Sequence, residues 1–335
     1  IKMAQPLVID VMEAYKVALL NEERAQMADM AQHWLRMEAE LSEKVELFVR
    51  RVKEDGLTVG QLQSRQFQLD RYRSLLAQVQ KELAKYTDYA EPLIARKQAQ
   101  IAKASIRAAA QAIQAVGADN GIKIAFDRLN YEAVENMIGL AGDGSPLRDL
   151  LEASYGDAAN GMLNQLIGAT ARGENPIATA RLMMRNGLSQ SLSRMMSIAR
   201  TEQMRVHRQA SQEAYRASGV VSGYRRLSAH DSRVCAGCLA ADGMILDLGA
   251  SFAAHPNCRC TTVPIVMGME APQWKAGGDW LAEQDEITQR KILGAGRFDL
   301  YRQGVPLSEM MTVRSSDTWG DAIVPATISE IKGRI

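Results

Sequence analysis

The chain has few aromatic residues, few histidines and cysteines, and no long apolar run. Aromatic side chains make up 5 % of its 335 residues, against 47 % for hydrophobic residues and 24 % for charged ones. A transmembrane helix needs about 20 consecutive apolar residues, and no such segment occurs, so the sequence predicts no membrane anchor. The 40 basic and 39 acidic side chains leave a formal net charge of +1. Any nucleic-acid binding must therefore come from a local patch.

Familiar catalytic motifs are also missing, which favours a protein without enzymatic activity. The sequence contains no G-x-x-x-x-G-K-[ST], H-E-x-x-H or G-x-S-x-G pattern. The G-x-G of ILGAGRF, residues 292–298, lacks a preceding strand and is interpreted as a helix end. Glu202 stands between Arg200 and Arg205 within a helical pattern. For Glu202 we favour a buried ion pair over a catalytic carboxylate.

Two long apolar stripes dominate the first part of the chain. Their residues recur at steps of three or four, which is the period of one helix face. The stripes consist of Trp34, Met37, Leu41, Val45, Phe48 and Val52, and of Leu69, Tyr72, Leu76, Val79, Leu83 and Tyr86. A turn is predicted between them at DGLTVGQ, residues 55–61. Two long helices are therefore expected.

Proline and glycine divide the remaining helical pattern. Pro92 is predicted to open a further helix, since proline is tolerated in a first turn. GADNG at residues 117–121 and the single Gly219 are predicted to end helices. Shorter helices are expected between residues 126 and 173.

Short runs of β-branched and aromatic residues appear after Gly219, at residues 220–231, 243–248 and 260–266, and predict a small sheet. The predicted fold is mostly α with a small α+β module: a long helical N-terminal region, then a compact domain whose short β-sheet is stapled by a Cys/His metal site. The predicted divisions are an elongated helical docking arm (1–120), the helical part of the main domain (121–219), the β module with its Cys/His cluster (220–270), and a C-terminal helix and tail (271–335).

All four cysteines lie in one short window together with a histidine. CAGC places Cys235 and Cys238 in a C-x-x-C turn, and HPNCRC adds His255, Cys258 and Cys260. Structural zinc takes four thiolate or imidazole ligands in a tetrahedron, whereas catalytic zinc keeps one position open. The window therefore predicts a structural zinc site with four of these five residues as ligands, leaving open which four. Free buried thiols and disulfides are the alternatives.

A second candidate site is basic. Arg225 and Arg226 follow Tyr224, and Arg233 lies nearby. These three arginines are candidate contacts to a phosphate or to DNA, although such residues are more often a solvated strand face.

Residues 198–264 resemble the phage Mu F-like minor head protein family, also called phage head morphogenesis proteins. Four motif pieces carry the resemblance, in order: Ala-Arg-Thr-Glu at residues 199–202, Asp-x-Arg-x-Cys-x-x-Cys at 231–238, Asp-Gly at 242–243, and His-Pro-x-Cys-Arg-Cys at 255–260. Arg200, Thr201, Glu202 and Asp231 are thus motif residues. Flanking segments extend the similarity to about residues 126–311. One departure is Arg226, where the family pattern has tryptophan.

The resemblance implies a minor capsid or head morphogenesis protein of a tailed bacteriophage or prophage, acting in procapsid assembly at the portal vertex and in DNA delivery. It implies the portal protein as partner, with the major capsid protein, the scaffolding protein and viral DNA as further candidates. It implies a place in the virion head after assembly in the host bacterial cytoplasm. The alternatives are a DNA-binding or ejected virion protein, or a metal-dependent nuclease or toxin-associated module. The long N-terminal helices, with their apolar stripes, are the expected docking surface.

Overall fold

The computed structural model describes residues 6–54, 65–126, 131–155 and 176–335. Helices form most of the first part of the chain, and short strands and helices alternate after residue 220. The helices are α1 Leu7–Glu54, α2 Arg65–Asp119, α3 Glu132–Glu135, α4 Pro176–Ser218, α5 Ala236–Ala240, α6 Gly277–Ala282, α7 Glu286–Leu293, α8 Ala295–Arg302 and α9 Ile328–Lys332, with a 3₁₀ turn at Leu307–Met310. The strands are β1 Val221–Leu227, β2 Ile245–Asp247, β3 Thr261–Val266, β4 Met311–Ser316 and β5 Gly320–Pro325. Residues 147–155 are also helical.

The two predicted apolar stripes are buried wherever the structure describes their side chains, except for the half-buried Leu76. The Trp34 and Tyr86 rings meet edge to face with centroids 4.8 Å apart, and the Tyr86 hydroxyl donates to the Met30 carbonyl at 3.0 Å. These contacts join α1 to α2. The predictions that lie outside the described residues or side chains are the turn at 55–61, the helix at 156–173, and the stripe positions Val45, Phe48, Val52, Leu69 and Tyr72.

The predicted helix start at Pro92 is wrong, because Pro92 lies inside α2. A proline there removes the hydrogen bond to the carbonyl of residue 88 and crowds that carbonyl with its ring, and Pro92 itself faces solvent. The buried Ala90 and Ile94 on either side anchor the helix through this point. The predicted breaks are confirmed: α2 ends within GADNG, and α4 ends just before Gly219, which takes a positive φ of 67°.

The predicted small sheet is confirmed, with strand order β2-β1-β3 and antiparallel pairing throughout. Tyr224 of β1 lies opposite Leu246 on one side and Pro264 on the other. The apolar face of the sheet packs on α2 and α4 through a cluster that includes Ile113, Tyr215 and Val263. This packing fixes the sheet beside the C-terminal part of α4.

Residues 271–335, predicted as a helix and tail, form helices α6 to α9 and the antiparallel hairpin β4–β5. The hairpin escaped prediction because most of β4 is exposed. The apolar alternation that marks a half-buried strand is therefore weak there. The hairpin packs close to α5, where Gly237 faces the backbone of Val324.

Contacts divide the chain into two compact units. The first unit contains Ile1–Asn21, Lys97–Gly144 and Arg200–Ile335, and the second contains Glu22–Arg96 and Ser145–Ala199. The boundaries predicted at residues 120, 219 and 270 stay a prediction. Within the described ranges, no helix is both long and apolar enough to cross a membrane.

Candidate metal centre

The four cysteines and His255 come together in the first unit, between α5 and the start of β3. Cys235 is the N-cap of α5, and its sulfur accepts the backbone N–H of Cys238 at 3.3 Å. The turn places both sulfurs of the CAGC segment on one side. Cys258 and Cys260 precede β3, and Asn257, with a φ of 62°, makes the turn that brings them back. The backbone of each half of the window therefore presents its cysteines to the other half.

The ligand atoms form two overlapping trios that share Cys238. One trio is Cys235, Cys238 and His255, the other is Cys238, Cys258 and Cys260, and within each trio all ligand atoms lie within 4.8 Å of one another. The Cys238 and Cys258 sulfurs are 3.8 Å apart. Sulfurs bound to one tetrahedral zinc at about 2.3 Å would lie about 3.8 Å apart. The Cys238–Cys258 pair therefore has the spacing that one zinc ion requires, and the two trios meet only through Cys238.

The position of His255 is compatible with two roles: binding a metal ion, or hydrogen-bonding to the cysteine sulfurs. Its Nε2 lies 3.3 Å from both the Cys235 and the Cys238 sulfur. Its Nδ1 lies 2.7 Å from the Pro256 carbonyl oxygen, and ligating histidines commonly donate their second N–H to such a carbonyl. The geometry leaves open whether His255 or Cys260 is the fourth ligand.

Hydrogen bonds between the cysteine sulfurs shift their pKa values in opposite directions. The hydrogen bond with Cys238 lowers the pKa of Cys235 to about 4. Hydrogen bonds with Cys238 and Cys260 hold the pKa of Cys258 well below its usual range. Hydrogen bonds with its sulfur neighbours raise the pKa of Cys238 well above that range. Burial lowers the pKa of His255, but the hydrogen bond with Cys235 and the nearby sulfur charges outweigh it and raise the value to about 9. These shifts favour the thiolate form of Cys235 and Cys258, the form that binds metals.

The motif residues on α4 and in the 231 turn anchor the loop that carries these ligands. Thr201 accepts the backbone N–H of Asn257 through its hydroxyl at 3.0 Å. Asp231 accepts two hydrogen bonds from the Arg259 guanidinium and one from the Arg233 backbone N–H at 2.9 Å. Arg200 is half-buried. The two anchors therefore restrain the HPNCRC segment at Asn257 and at Arg259.

Glu202 does not face the cluster. Its fully buried carboxylate accepts the Arg205 Nε–H at 2.7 Å and the Gly142 backbone N–H at 3.2 Å. Burial raises the pKa of Glu202, partly offset by the Arg205 charge. Glu202 and Arg205 therefore form the buried ion pair that the sequence favours. Glu202 also links the loop at residue 142 to α4.

The three predicted phosphate-binding arginines do not share one surface. Arg226 is 1 % exposed and points to the Cys238 and Cys258 sulfurs. From that position Arg226 cannot reach a phosphate at the surface. Arg225 donates to the carbonyls of Gly243 and Pro272 and stacks on Trp274, whereas Arg233 is exposed. A phosphate contact therefore stays a prediction for Arg225 and Arg233 only.

Asp242, from the Asp-Gly pair of the motif, is a structural residue that the sequence reasoning left without a role. Its fully buried carboxylate accepts the Ser228 backbone N–H at 2.7 Å and the Trp274 Nε1–H at 3.0 Å. Its other contact is His230 Nε2 at 3.0 Å. Asp242 thus links the residues that follow β1 to Trp274. His230 belongs to neither trio of candidate metal ligands.

Arg208 was also missed, because a lone arginine on a helix is usually exposed. It is 4 % exposed and donates to the carbonyls of Cys258 and Cys260 at 3.3 Å. For Arg226 a signal existed: strand alternation places it on the same face as Tyr224, and Tyr224 is fully buried.

The fold and the site define a mostly helical protein with a small sheet built against a Cys/His cluster. Residues 160–263 match the family model described as Phage Mu protein F like protein. The match spans the cysteine window and confirms the predicted family resemblance for this part of the chain. Phage head morphogenesis is the role that the matched family suggests for this part of the chain. Comparisons with curated proteins and with solved structures gave no match.

Proposed function

We propose that this chain is a minor head protein of a tailed bacteriophage or prophage, acting in procapsid assembly at the portal vertex. The observation that carries the proposal is the Mu F-like match at residues 160–263. A structural rather than catalytic role is supported by the burial of Cys238, Cys258 and Cys260, each at most 3 % exposed. A catalytic metal needs an open position that a substrate can reach.

The proposed docking surface for the portal, the major capsid protein or the scaffold lies on the N-terminal helices. Large apolar side chains on α1 remain exposed, and Leu35, at 60 %, is the clearest example. Exposed apolar side chains on an amphipathic helix suit a partner groove.

Co-expression with the portal protein of the same genome, followed by size-exclusion chromatography, tests this role. We expect a stable complex that Leu35→Glu weakens and Ile287→Glu leaves intact. Ile287 is the matched control, because it is 82 % exposed on α7. Absence of the chain from purified virions, together with no portal complex, would refute the head role.

We further propose that the cluster holds one structural zinc ion. The zinc would link the CAGC turn to the HPNCRC loop and stabilise a sheet that has a small core of its own. Elemental analysis of the purified protein is expected to find about one zinc per chain. Cys238→Ser, which removes the sulfur shared by both trios, should lose the metal. His255→Ala should retain it if all four cysteines bind and lose it if the site is mixed.

A contact with viral DNA, as part of DNA delivery, is a subsidiary proposal. It rests on the exposed Arg233 and the half-buried Arg225. Replacing both with glutamine should weaken DNA binding and reduce its salt dependence by about one unit of log–log slope per lost phosphate contact. Unchanged binding would remove DNA from the list of partners.

A further inference from the structure

Two buried arginines lie against the cysteine cluster, and no carboxylate among the residues that the structure describes pairs with either. Arg208 and Arg226 are 4 % and 1 % exposed. Within the described part of the chain, their hydrogen bonds go to backbone carbonyls and to two sulfurs. An isolated buried cation is strongly unfavourable unless an anion compensates it. The groups in contact that can supply negative charge are the thiolates.

The Arg226 guanidinium is aimed at the sulfurs by its other contacts. Its Nη2 lies 3.5 Å from the Cys258 sulfur and 3.6 Å from the Cys238 sulfur. Its Nη1 donates to the Ala253 carbonyl at 2.8 Å, and its carbon Cζ lies 4.4 Å from the centre of the Phe252 ring. The same ring lies 5.1 Å from Arg208 Cζ. Strand β1, one carbonyl and one ring therefore hold the planar N–H groups in place.

The charges of such a centre can be counted. A divalent ion with three thiolates carries a net charge of −1, and with four thiolates −2. Two buried guanidinium groups contribute +2. They therefore match a complex rich in thiolate and disfavour one dominated by neutral imidazole or by water.

We propose that Arg226, assisted by Arg208, makes this cluster selective for divalent ions that prefer thiolate ligands. Arg226 donates N–H groups to the Cys238 and Cys258 sulfurs, and the two guanidinium charges offset the negative charge of the complex. Arg226 acts through the ligands and is a positioning residue. This inference rests on the proposed zinc centre.

The test compares three variants of the full chain with the wild type. Arg226→Met removes the charge and the donors, and Arg226→Lys keeps the charge but loses the planar fork. Arg314→Met, at an exposed arginine of β4, is the control. Zinc affinity is measured by competition with a chromogenic chelator. Cobalt(II) substitution reports the sulfur-to-metal charge-transfer band, which a purely structural role for Arg226 would not shift.

We expect Arg226→Met to lose about 10- to 100-fold in zinc affinity, the usual effect of removing a partner that supports the ligands. Its cobalt band should move to longer wavelength, because the sulfur lone pairs lose their hydrogen-bond donors. Arg226→Lys should show a smaller loss, and Arg314→Met should behave like the wild type.

The possible failures are distinguishable. A wild-type chain that binds neither zinc nor cobalt overturns the metal centre and this inference together. A wild-type chain that binds metal, with Arg226→Met unchanged in affinity and spectrum, overturns this inference alone. If Arg226→Met does not fold, Arg226→Lys decides, and wild-type affinity and spectrum in that variant overturn the role of the guanidinium fork.

Discussion

At the residue scale, Glu202 shows how one buried carboxylate holds a loop to a helix. Replacing it with alanine leaves the Arg205 guanidinium and the Gly142 N–H without this acceptor. We expect Glu202→Ala to lower the free energy of unfolding by about 2–3 kcal/mol, since Arg205 is partly exposed and recovers some hydration. Urea denaturation measures the change.

The matched control is another ion pair on α4. Glu213 pairs with Arg216, and both side chains are about a third exposed or more. Glu213→Ala should change stability by less than about 1 kcal/mol, as for other solvent-exposed pairs. Equal losses of stability in Glu202→Ala and Glu213→Ala would show that burial does not determine how much each ion pair contributes.

His207 predicts a dependence of stability on pH. It is fully buried, its Nδ1 lies 2.9 Å from the Ser105 hydroxyl, and burial followed by the neighbouring Arg208 charge lowers its pKa to about 3. The unfolded state takes up a proton below about pH 6.5, whereas the folded state stays neutral until about pH 3. Stability should therefore fall as the pH decreases through this window, by up to about 1.4 kcal/mol per pH unit.

The measurement is urea unfolding between pH 7 and 4 for the wild type and for His207→Gln, which cannot titrate. As the pH falls, the free energy of unfolding should decrease more for the wild type than for His207→Gln. A difference that stays constant would mean that His207 is not held neutral.

At the scale of elements, the sequence predicts features that follow from a local, repeating pattern of residues. It misses features that depend on residues distant in the chain. The step of three and four residues through Trp34 and Leu83 predicts helices whose buried faces the structure confirms. The close spacing of Cys235 and Cys238 predicts that their sulfurs meet, because both come from one turn. The burial of Arg226 depends on Phe252 and on the sulfurs across the sheet. Strand alternation places Arg226 on the same face as Tyr224, but an Arg-Arg pair in a strand does not indicate which distant residues lie against that face.

Close packing of α5 against the β4–β5 hairpin yields a prediction at the same scale. A Cβ at Gly237 would lie 2.7 Å from the Val324 carbonyl carbon and 2.9 Å from the Pro325 nitrogen. Both are backbone atoms that cannot rotate away. We expect Gly237→Ala to lower the free energy of unfolding by about 1–3 kcal/mol, the usual cost of overpacking. Thermal unfolding measures it.

The control is Gly249→Ala. A Cβ at Gly249 would meet nothing within 4 Å, so this variant should stay within about 0.5 kcal/mol of the wild type. A Gly237→Ala protein as stable as the control would show that α5 can move away from the hairpin at little cost.

At the scale of the whole molecule, the first unit gathers three stretches that are far apart in sequence. No local pattern marks residues 21 or 96 as boundaries, because both lie inside helices. Division into compact units follows from long-range contacts, and those cannot be read from periodicity. The stability of each unit must therefore be measured separately.

Hydrogen exchange with and without a zinc chelator makes that measurement. Removing the metal should accelerate exchange of the amides in β1, α5 and β3, because the proposed zinc joins the two segments that carry the cysteines. Peptides from residues 22–54 and 65–96 should keep their protection, since Trp34, Leu83 and Tyr86 pack there without help from the cluster. A chelator effect spread evenly over both regions would show that the zinc stabilises the whole chain. No effect in either region would argue against a structural metal, because a clamp that contributes to folding must slow the opening of the sheet it holds.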